Sequence, residues 1–440
     1  MLAGIYGLRI MGLFLILPVF ALYAAELDGQ TPFLIGLAIG AYGLTQALLQ
    51  IPYGMASDHV GRKPVIVTGL LVFAAGSFIA AMSHSILGVI LGRAIQGAGA
   101  IAATLFAMTA DVTREESRTK AMAAIGMTIG ATFTLSLIVG PMLNGAIGVP
   151  GIFILTGTLA LVAIGVFLML VPTPARAHRR GRDNLAAQFF RILKNRELLR
   201  LDFGIFCLHL VLTAMFVVMP KAIVAYTGLH GDRHWQLYLP VMVAAFIGMV
   251  PFLMLSHKRH GTRPVLAGAV LVSGLAQVVF YFGYRSPAGL VVGLWLFFTA
   301  FNLLEGMLPS LVSRLAPTGN KGAAMGVYSS SQFLGAFFGG SLGGLLHGEF
   351  GIAAVFVLSA VILAVWFVVA LTMPEPKLFE TRELRVGRQG PLQAQSLAQK
   401  LEAVAGVAEA VVIADEGVAY LKVDMSNLDE DALHRFTAAA

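Results

Sequence analysis

Twelve apolar runs, each about as long as a helix that crosses a bilayer, constrain this chain more than any other feature. Such a helix needs roughly 20 mainly apolar residues. Runs of that kind lie at about 3–25, 32–56, 64–83, 86–109, 120–146, 150–171, 199–224, 236–256, 264–284, 288–313, 322–347 and 352–373. The hydrocarbon offers no water to backbone amides, so each run has to satisfy its own hydrogen bonds as a helix. Only 12% of the 440 residues are charged, against about 25% in an ordinary soluble domain. The run near Met1 is span-length and carries Arg9, so it reads as a span and not as a cleavable leader.

The long connection at 172–198 opens with prolines and continues as a basic, partly amphipathic stretch. It divides a six-span unit, 1–171, from a second, 199–373. The expected fold is an all-α polytopic membrane protein of two six-helix bundles. Arg62, Lys63, Arg114, Arg118, Lys120, Lys258, Arg259, Arg263, Arg314 and Lys321 fall in gaps after even-numbered spans, and the long connection adds more. Lys221, Arg233 and Arg285 lie at or near the other side. The positive-inside rule then places both termini in the cytoplasm. The net charge of +7 reflects that topology and contact with anionic lipid, not a nucleic-acid surface.

The halves echo each other. "IPYGMAS" (51–57) precedes one charged turn and "VPFLMLS" (250–256) another. Gly61 and Gly261, Lys63 and Arg263, and Pro64 and Pro264 recur at matching places. "KAMAAIG", ending at Gly126, resembles "KGAAMG", ending at Gly326. Repeats of six spans suit a transporter that rocks one bundle against the other.

Beyond 374–382 the charge density rises. Residues 383–440 read as a strand (384–387), a helix (391–404), the strand "AEAVVIA", a turn at Asp415–Gly417, the strand "VAYLKVD" and a helix from about Asn427. This β-α-β-β-α order suits a small ferredoxin-like α+β domain. An exposed strand edge would allow self-association or a regulatory contact. The domain has no cysteine and one histidine, His434, so a metal role is not expected; the chain's single cysteine is Cys207.

The stretch "GMASDHVGRKP" (54–64) puts four charged or titratable residues into one tight turn. It resembles the signature turn between spans 2 and 3 of the major facilitator superfamily, with His59 where that pattern has an arginine. "LGRAIQGAGA" in span 4 and "GMTIG…GP" in span 5 are similar to two further motifs of the family, although Asn144 stands where a second glycine is usual. "ILPVF", "FNLLEGMLPSL" and the glycine-rich span 11 extend the resemblance to its proton-driven drug-efflux branch. The resemblance implies a two-bundle fold and alternating access. It also implies that Gly54, Asp58, Gly61, Arg62, Lys63 and Asp111 form a latch for the outward-facing state, with Asp58 near the start of span 11. Gly126, Gly130, Gly140 and Pro141 would be the antiporter-type packing face of span 5, and Gly322 and Gly326 would pack span 11.

Ionisable residues inside spans cost about 2.5–3.5 kcal/mol on insertion scales, so each needs a reason. Glu305 is the leading proton carrier: Asn302, a substrate-cavity candidate, lies one turn earlier and no basic residue lies within a turn. Arg93 could tune a nearby carboxylate or bond backbone carbonyls. His209 could titrate or merely pack, and Arg9 faces either a cavity or the interface. Asp202 reads as a helix-end anion.

No nucleophile–base pair or phosphate loop points to an enzyme. The expected activity is proton-coupled export of small lipophilic compounds, with the proton gradient as energy source and no cofactor or metal. A uniporter, a proton symporter, or a transporter-like sensor signalling through 383–440 are the alternatives.

Overall fold

The computed structural model describes residues 2–113, 115–171, 192–256, 261–316, 321–375, 380–388, 390–414, 417–424 and 427–436. They form two compact units: 1–312 with 322–374, and 313–321 with 375–440.

The first unit is all helix. Its elements are α1 (Leu2–Phe14), α2 (Leu17–Tyr23), α3 (Pro32–Val60), α4 (Arg62–Met82), α5 (Ile86–Ala98), α6 (Ala102–Val112), α7 (Glu115–Leu170), α8 (Arg196–Thr227), α9 (Trp235–Ser256), α10 (Thr262–Gly283), α11 (Pro287–Leu315), α12 (Lys321–Phe350) and α13 (Ile352–Leu371). Among the described residues, ten helices are long and apolar enough to cross a membrane.

Several boundaries follow directly from local chemistry. Thr31 caps α3 by accepting from the Leu34 amide at 3.2 Å, with Pro32 at the first helical position. Asn195 caps α8 through the amides of Glu197 and Leu198. The first expected span is broken between α1 and α2, just before Pro18, whose ring cannot continue the preceding turn. The fourth is broken at Gly99–Ile101. α7 runs through both the fifth and sixth expected spans, but Gly148 adopts φ 69° and ψ 171° two residues before Pro150, which bends it into two limbs.

Burial sorts the helices. Of the most apolar stretch of each, 83% is buried for Leu2–Glu26 and 89% for α8, but only 22% for α9. The first helix of each half therefore lies at the centre, and α9 presents its apolar side chains outward, as a lipid-facing helix does.

The repeat is imperfect in detail. Gly61 has φ 104°, open to glycine, whereas Gly261 has φ −90° and needs no such freedom. Residues 257–260 of the second turn, and 172–191 of the long connection, lie outside the described residues.

The second unit contains β1 (Glu380–Arg385), α14 (Pro391–Glu402), β2 (Val407–Ile413), β3 (Val418–Val423) and α15 (Glu430–His434). The sheet order is β1-β3-β2, and β3 is antiparallel to both neighbours. β1 and β2 thus run parallel, joined through α14, with β3 inserted as in a split β-α-β unit. Leu384, Leu401, Ala419, Leu421 and Val423 fill its core. β1 starts earlier than the sequence suggests, at Glu380, which pairs with Val423. Of the expected turn at Asp415–Gly417 only Gly417 is described, at φ 68°. Lys422 donates to the Ala316 carbonyl at 2.9 Å, which joins 313–321 to this unit.

Candidate functional site

The charged turn joins three helices of the first half. Arg62, first residue of α4, pairs with Asp58 of α3, donates to Ser57, and bonds Asp111 near the end of α6 at 3.0 Å. Gly54 packs on Ala103 of α6, and Lys63 sits half-buried beside Arg62. Arg62, Asp58 and Asp111 keep 17%, 31% and 23% of their side-chain surface exposed. At that exposure each pair is worth about 0–1 kcal/mol, so the cluster orients helix ends more than it stabilises the fold. Asp58 meets Arg62; a contact with α12 is not among the described interactions. His59 is exposed, its ring 3.0 Å from the Met55 carbonyl.

The two halves meet along α3 and α12. Gly36, Gly40 and Gly43 on one face of α3 lie against the backbone of Gly340, Phe337 and Phe333, and a Cβ at any of them would collide. Small residues let two backbones approach this closely in lipid. Further along, Ser330 donates to the Ala47 carbonyl at 3.4 Å and Gln50 to the Gly326 carbonyl at 3.1 Å. The Gly326 carbonyl thus meets α3, and Gly322 has open space where a side chain would stand. In α7, Gly140 is pressed on the Leu15 carbonyl and Pro18, and Gly130 has no neighbour within 4 Å. The stretch around Gly130 still packs on α1, where Gly7 lies against Thr128 and Thr132. For Gly126 only the helical backbone is described.

Away from the charged turn the halves are also in contact. Gly231 abuts Leu22, and Asp232 abuts Gly145. Phe133 of α7 bridges Phe14 of α1, at 4.9 Å between ring centres, and Phe301 of α11, at 5.0 Å.

Beneath this aromatic contact is a cavity lined by Tyr6, Ile10 and Phe14 from α1, His209 and Thr213 from α8, and Gln332 from α12, among others. Its polar surroundings differ between the halves. On the first, Arg9 donates to Gln46, Gln46 to Gln50 at 2.9 Å, and Gln50 to Gly326 across the seam. Arg93 donates to Gln96 at 2.6 Å and to the Ala38 and Ile39 carbonyls, and its guanidinium lies 5.0 Å from the centre of the Tyr42 ring. Arg93 therefore ties α5 to α3, and its described partners are Gln96 and two backbone carbonyls. Arg9 is fully buried.

On the second half the Gln332 amide lies 2.8 Å from His209 Nε2 and 3.4 Å from Glu305 Oε1. His209 Nε2 and Glu305 Oε2 are 4.0 Å apart. The amide donates to Nε2, so that ring nitrogen is the acceptor and the imidazole is neutral in this arrangement. Asn302 Nδ2 is buried without a partner one turn from Glu305. Asp202 is only 5% exposed and both its oxygens lack partners, so it is no solvated helix-end anion. Gln46, Gln50, Gln96, Gln332 and Tyr328 escaped the sequence reading. The one signal was the four-residue spacing of Tyr42, Gln46 and Gln50, a polar stripe on an apolar helix.

The geometry is that of a two-bundle membrane transporter with a polar centre, not of an enzyme. Comparison with known proteins agrees. The Major Facilitator Superfamily profile matches residues 2–258 and 243–407, and the chain belongs to that family. It is 43% identical over 426 residues to "Inner membrane transport protein YajR" of Escherichia coli (strain K12), covering 96% of this chain and 93% of the relative. It is 26% identical to "Multidrug resistance protein MdtH" of Aeromonas salmonicida (strain A449), over 77% of this chain and 85% of that protein. A solved bacterial homologue of the human lysosomal transporter Spinster, in an inward-facing and occupied conformation, superposes with a TM-score of 0.68 at 13% identity. That match covers 84% of this chain and 94% of the other, and establishes the fold alone.

Proposed function

We propose that this protein is a proton-coupled antiporter of the bacterial inner membrane that exports small lipophilic compounds by alternating access. The observation that carries this reading is Glu305: a carboxyl beside the central cavity whose described partners are the neutral groups Gln332 and His209. A carboxyl in such a place changes the charge of the cavity when it gains or loses a proton, so proton and substrate can compete for one site. The inner-membrane location and the export direction draw on the names of the YajR and MdtH relatives.

Twelve spans follow when the two limbs of α7 count separately and α12 counts as one. Both termini then lie in the cytoplasm, on the side of the Arg62 cluster. In this conformation the halves touch along α3 and α12. They also touch at Gly231–Leu22 and Asp232–Gly145, two contacts that this topology puts on the periplasmic side. Arg62, Asp58 and Asp111 form the latch that holds α3, α4 and α6 together while the bundles rock. Residues 383–440 act as a ferredoxin-like cytoplasmic module for regulation or self-association.

The test is proton movement in energised, everted membrane vesicles challenged with a panel of lipophilic cations and neutral compounds. Wild type should release protons from the lumen on substrate addition, and Glu305→Gln should not. Equal responses from the two proteins would exclude Glu305 from the coupling path.

A further inference from the structure

Among the buried polar groups of the second half without a hydrogen-bond partner are both oxygens of Asp202, the Tyr328 hydroxyl and Glu305 Oε2. They come from three different helices, α8, α12 and α11. A buried polar atom left unpaired is costly, so three in one neighbourhood call for a cause. The helix register brings them together. α8 and α12 run in the same direction, with Gly335 against Phe206, Gly339 against Leu210 and Gly343 against Ala214. One turn earlier on each helix, this register sets Asp202 beside 328–331. The Tyr328 phenol lies within electrostatic range of Asp202, Glu305 and Tyr6. Asp202 and His209 are two turns apart on one face of α8, so the three groups form a line from the His209–Gln332–Glu305 cluster towards the start of α8. Arg9 is linked towards this neighbourhood through Gln46 and Gln50 to the Gly326 carbonyl, two residues from Tyr328, and the Trp366 indole covers the other side of α8 at Gly204.

We propose that Asp202 is a second proton-carrying carboxyl, exchanging a proton with Glu305 through the Tyr328 hydroxyl. The three groups are not hydrogen-bonded to one another in this conformation. In the transfer, which requires a conformation that closes those gaps, the Glu305 O–H gives its proton to the phenol oxygen as the phenol gives its own to an Asp202 oxygen. Glu305 ends as carboxylate, Asp202 as neutral acid, and Tyr328 is unchanged. Tyr328 is a hydroxyl that both donates and accepts, which a relay between two carboxyls requires. The start of α8 is the end nearer the Arg62 side, so Asp202 gives the buried Glu305 an exit towards the cytoplasm. The relay rests on the proton-coupled reading above.

Two measurements on the full chain in lipid vesicles decide it. The first is infrared difference spectroscopy during a pH titration without substrate. Two protonated-carboxyl bands are expected, one missing from Glu305→Gln and the other from Asp202→Asn. A spectrum of Asp202→Asn identical to wild type overturns the proposal. The second compares proton-linked flux with substrate–substrate exchange at equal pH. Positioned proton donors typically contribute about 10²–10⁴-fold, so Asp202→Asn and Tyr328→Phe should each slow proton-linked flux by at least about tenfold while exchange persists, and Asp202→Glu should restore it. Loss of both modes together, or of neither, overturns the relay. A wild type that moves no protons with any substrate defeats the antiport reading, and the infrared bands then decide the role of Asp202 alone.

Discussion

The two halves of the membrane unit bury ionisable groups in opposite ways. The first half buries cations, and Arg93 is held by Gln96 and by the carbonyls of Ala38 and Ile39. The second buries acids, Glu305 and Asp202, and no Lys or Arg is among their described partners. A guanidinium stays charged whatever the pH, so the first half is electrostatically fixed. A carboxyl among neutral partners can change charge, so the second half holds the variable part. The same covalent repeat has been put to two uses, a scaffold and a switch.

The comparison breaks most sharply at Glu305. Glu305→Gln keeps the shape and the Gln332 contact but cannot lose a proton, so proton-linked transport should fall by about 10²-fold or more. Vesicle flux measures this, and the first half offers no single substitution with that effect at unchanged stability. Next comes Arg93. Replacing it with Met removes the donor to Gln96 Oε1 and to two α3 carbonyls and leaves a buried acceptor unpaired, which should cost about 1–3 kcal/mol. Thermal unfolding in detergent should show a clear loss, where Glu305→Gln shows little.

Effects no larger than this sharpen the contrast. Gly36→Ala forces a Cβ onto the Gly340 carbonyl, and overpacking of that kind costs about 1–3 kcal/mol. It should weaken association of the halves, seen as faster proteolysis between them. Arg62→Ala removes half-exposed pairs worth about 0–1 kcal/mol. The fold should survive, while the balance of conformations shifts by no more than about fivefold. Distances between introduced cysteine pairs can follow this, because the native Cys207 is buried. The Arg382–Glu430 pair of the small domain is 39% and 53% exposed, and Arg382→Ala should leave its melting unchanged within about 0.5 kcal/mol.

Much of this arrangement was legible in the sequence. Span positions follow from apolar length, and the β-α-β-β-α order of the tail from its alternating patterns. The Glu305 site could be picked out because a lone acid in an apolar run needs a reason. What could not be read was partnership across helices. For Arg93 the sequence left open both a nearby carboxylate and backbone carbonyls, and only the structure names Gln96 and the carbonyls of α3, two helices away in sequence, as its partners. Asp202 looked like a solvated helix end because its position along α8 says nothing about what α12 and α13 lay over it. The glycine-rich stretches did not reveal that Gly36 and Gly40 serve the seam with the opposite half while Gly335 and Gly339 pack on α8 of their own half. Gly130 and Gly322 show the converse, glycines in motif positions with empty space around them.

Binding measured against pH tests the central claim most directly. The purified full chain would be titrated with a substrate found in the vesicle screen, at a series of pH values, as wild type and as Glu305→Gln. If proton and substrate compete at Glu305, wild-type affinity weakens as pH falls, approaching about tenfold per pH unit for one proton, and the Glu305→Gln affinity stays flat. A flat wild-type profile, or the same slope in both proteins, would contradict the assignment of the switch to the second half.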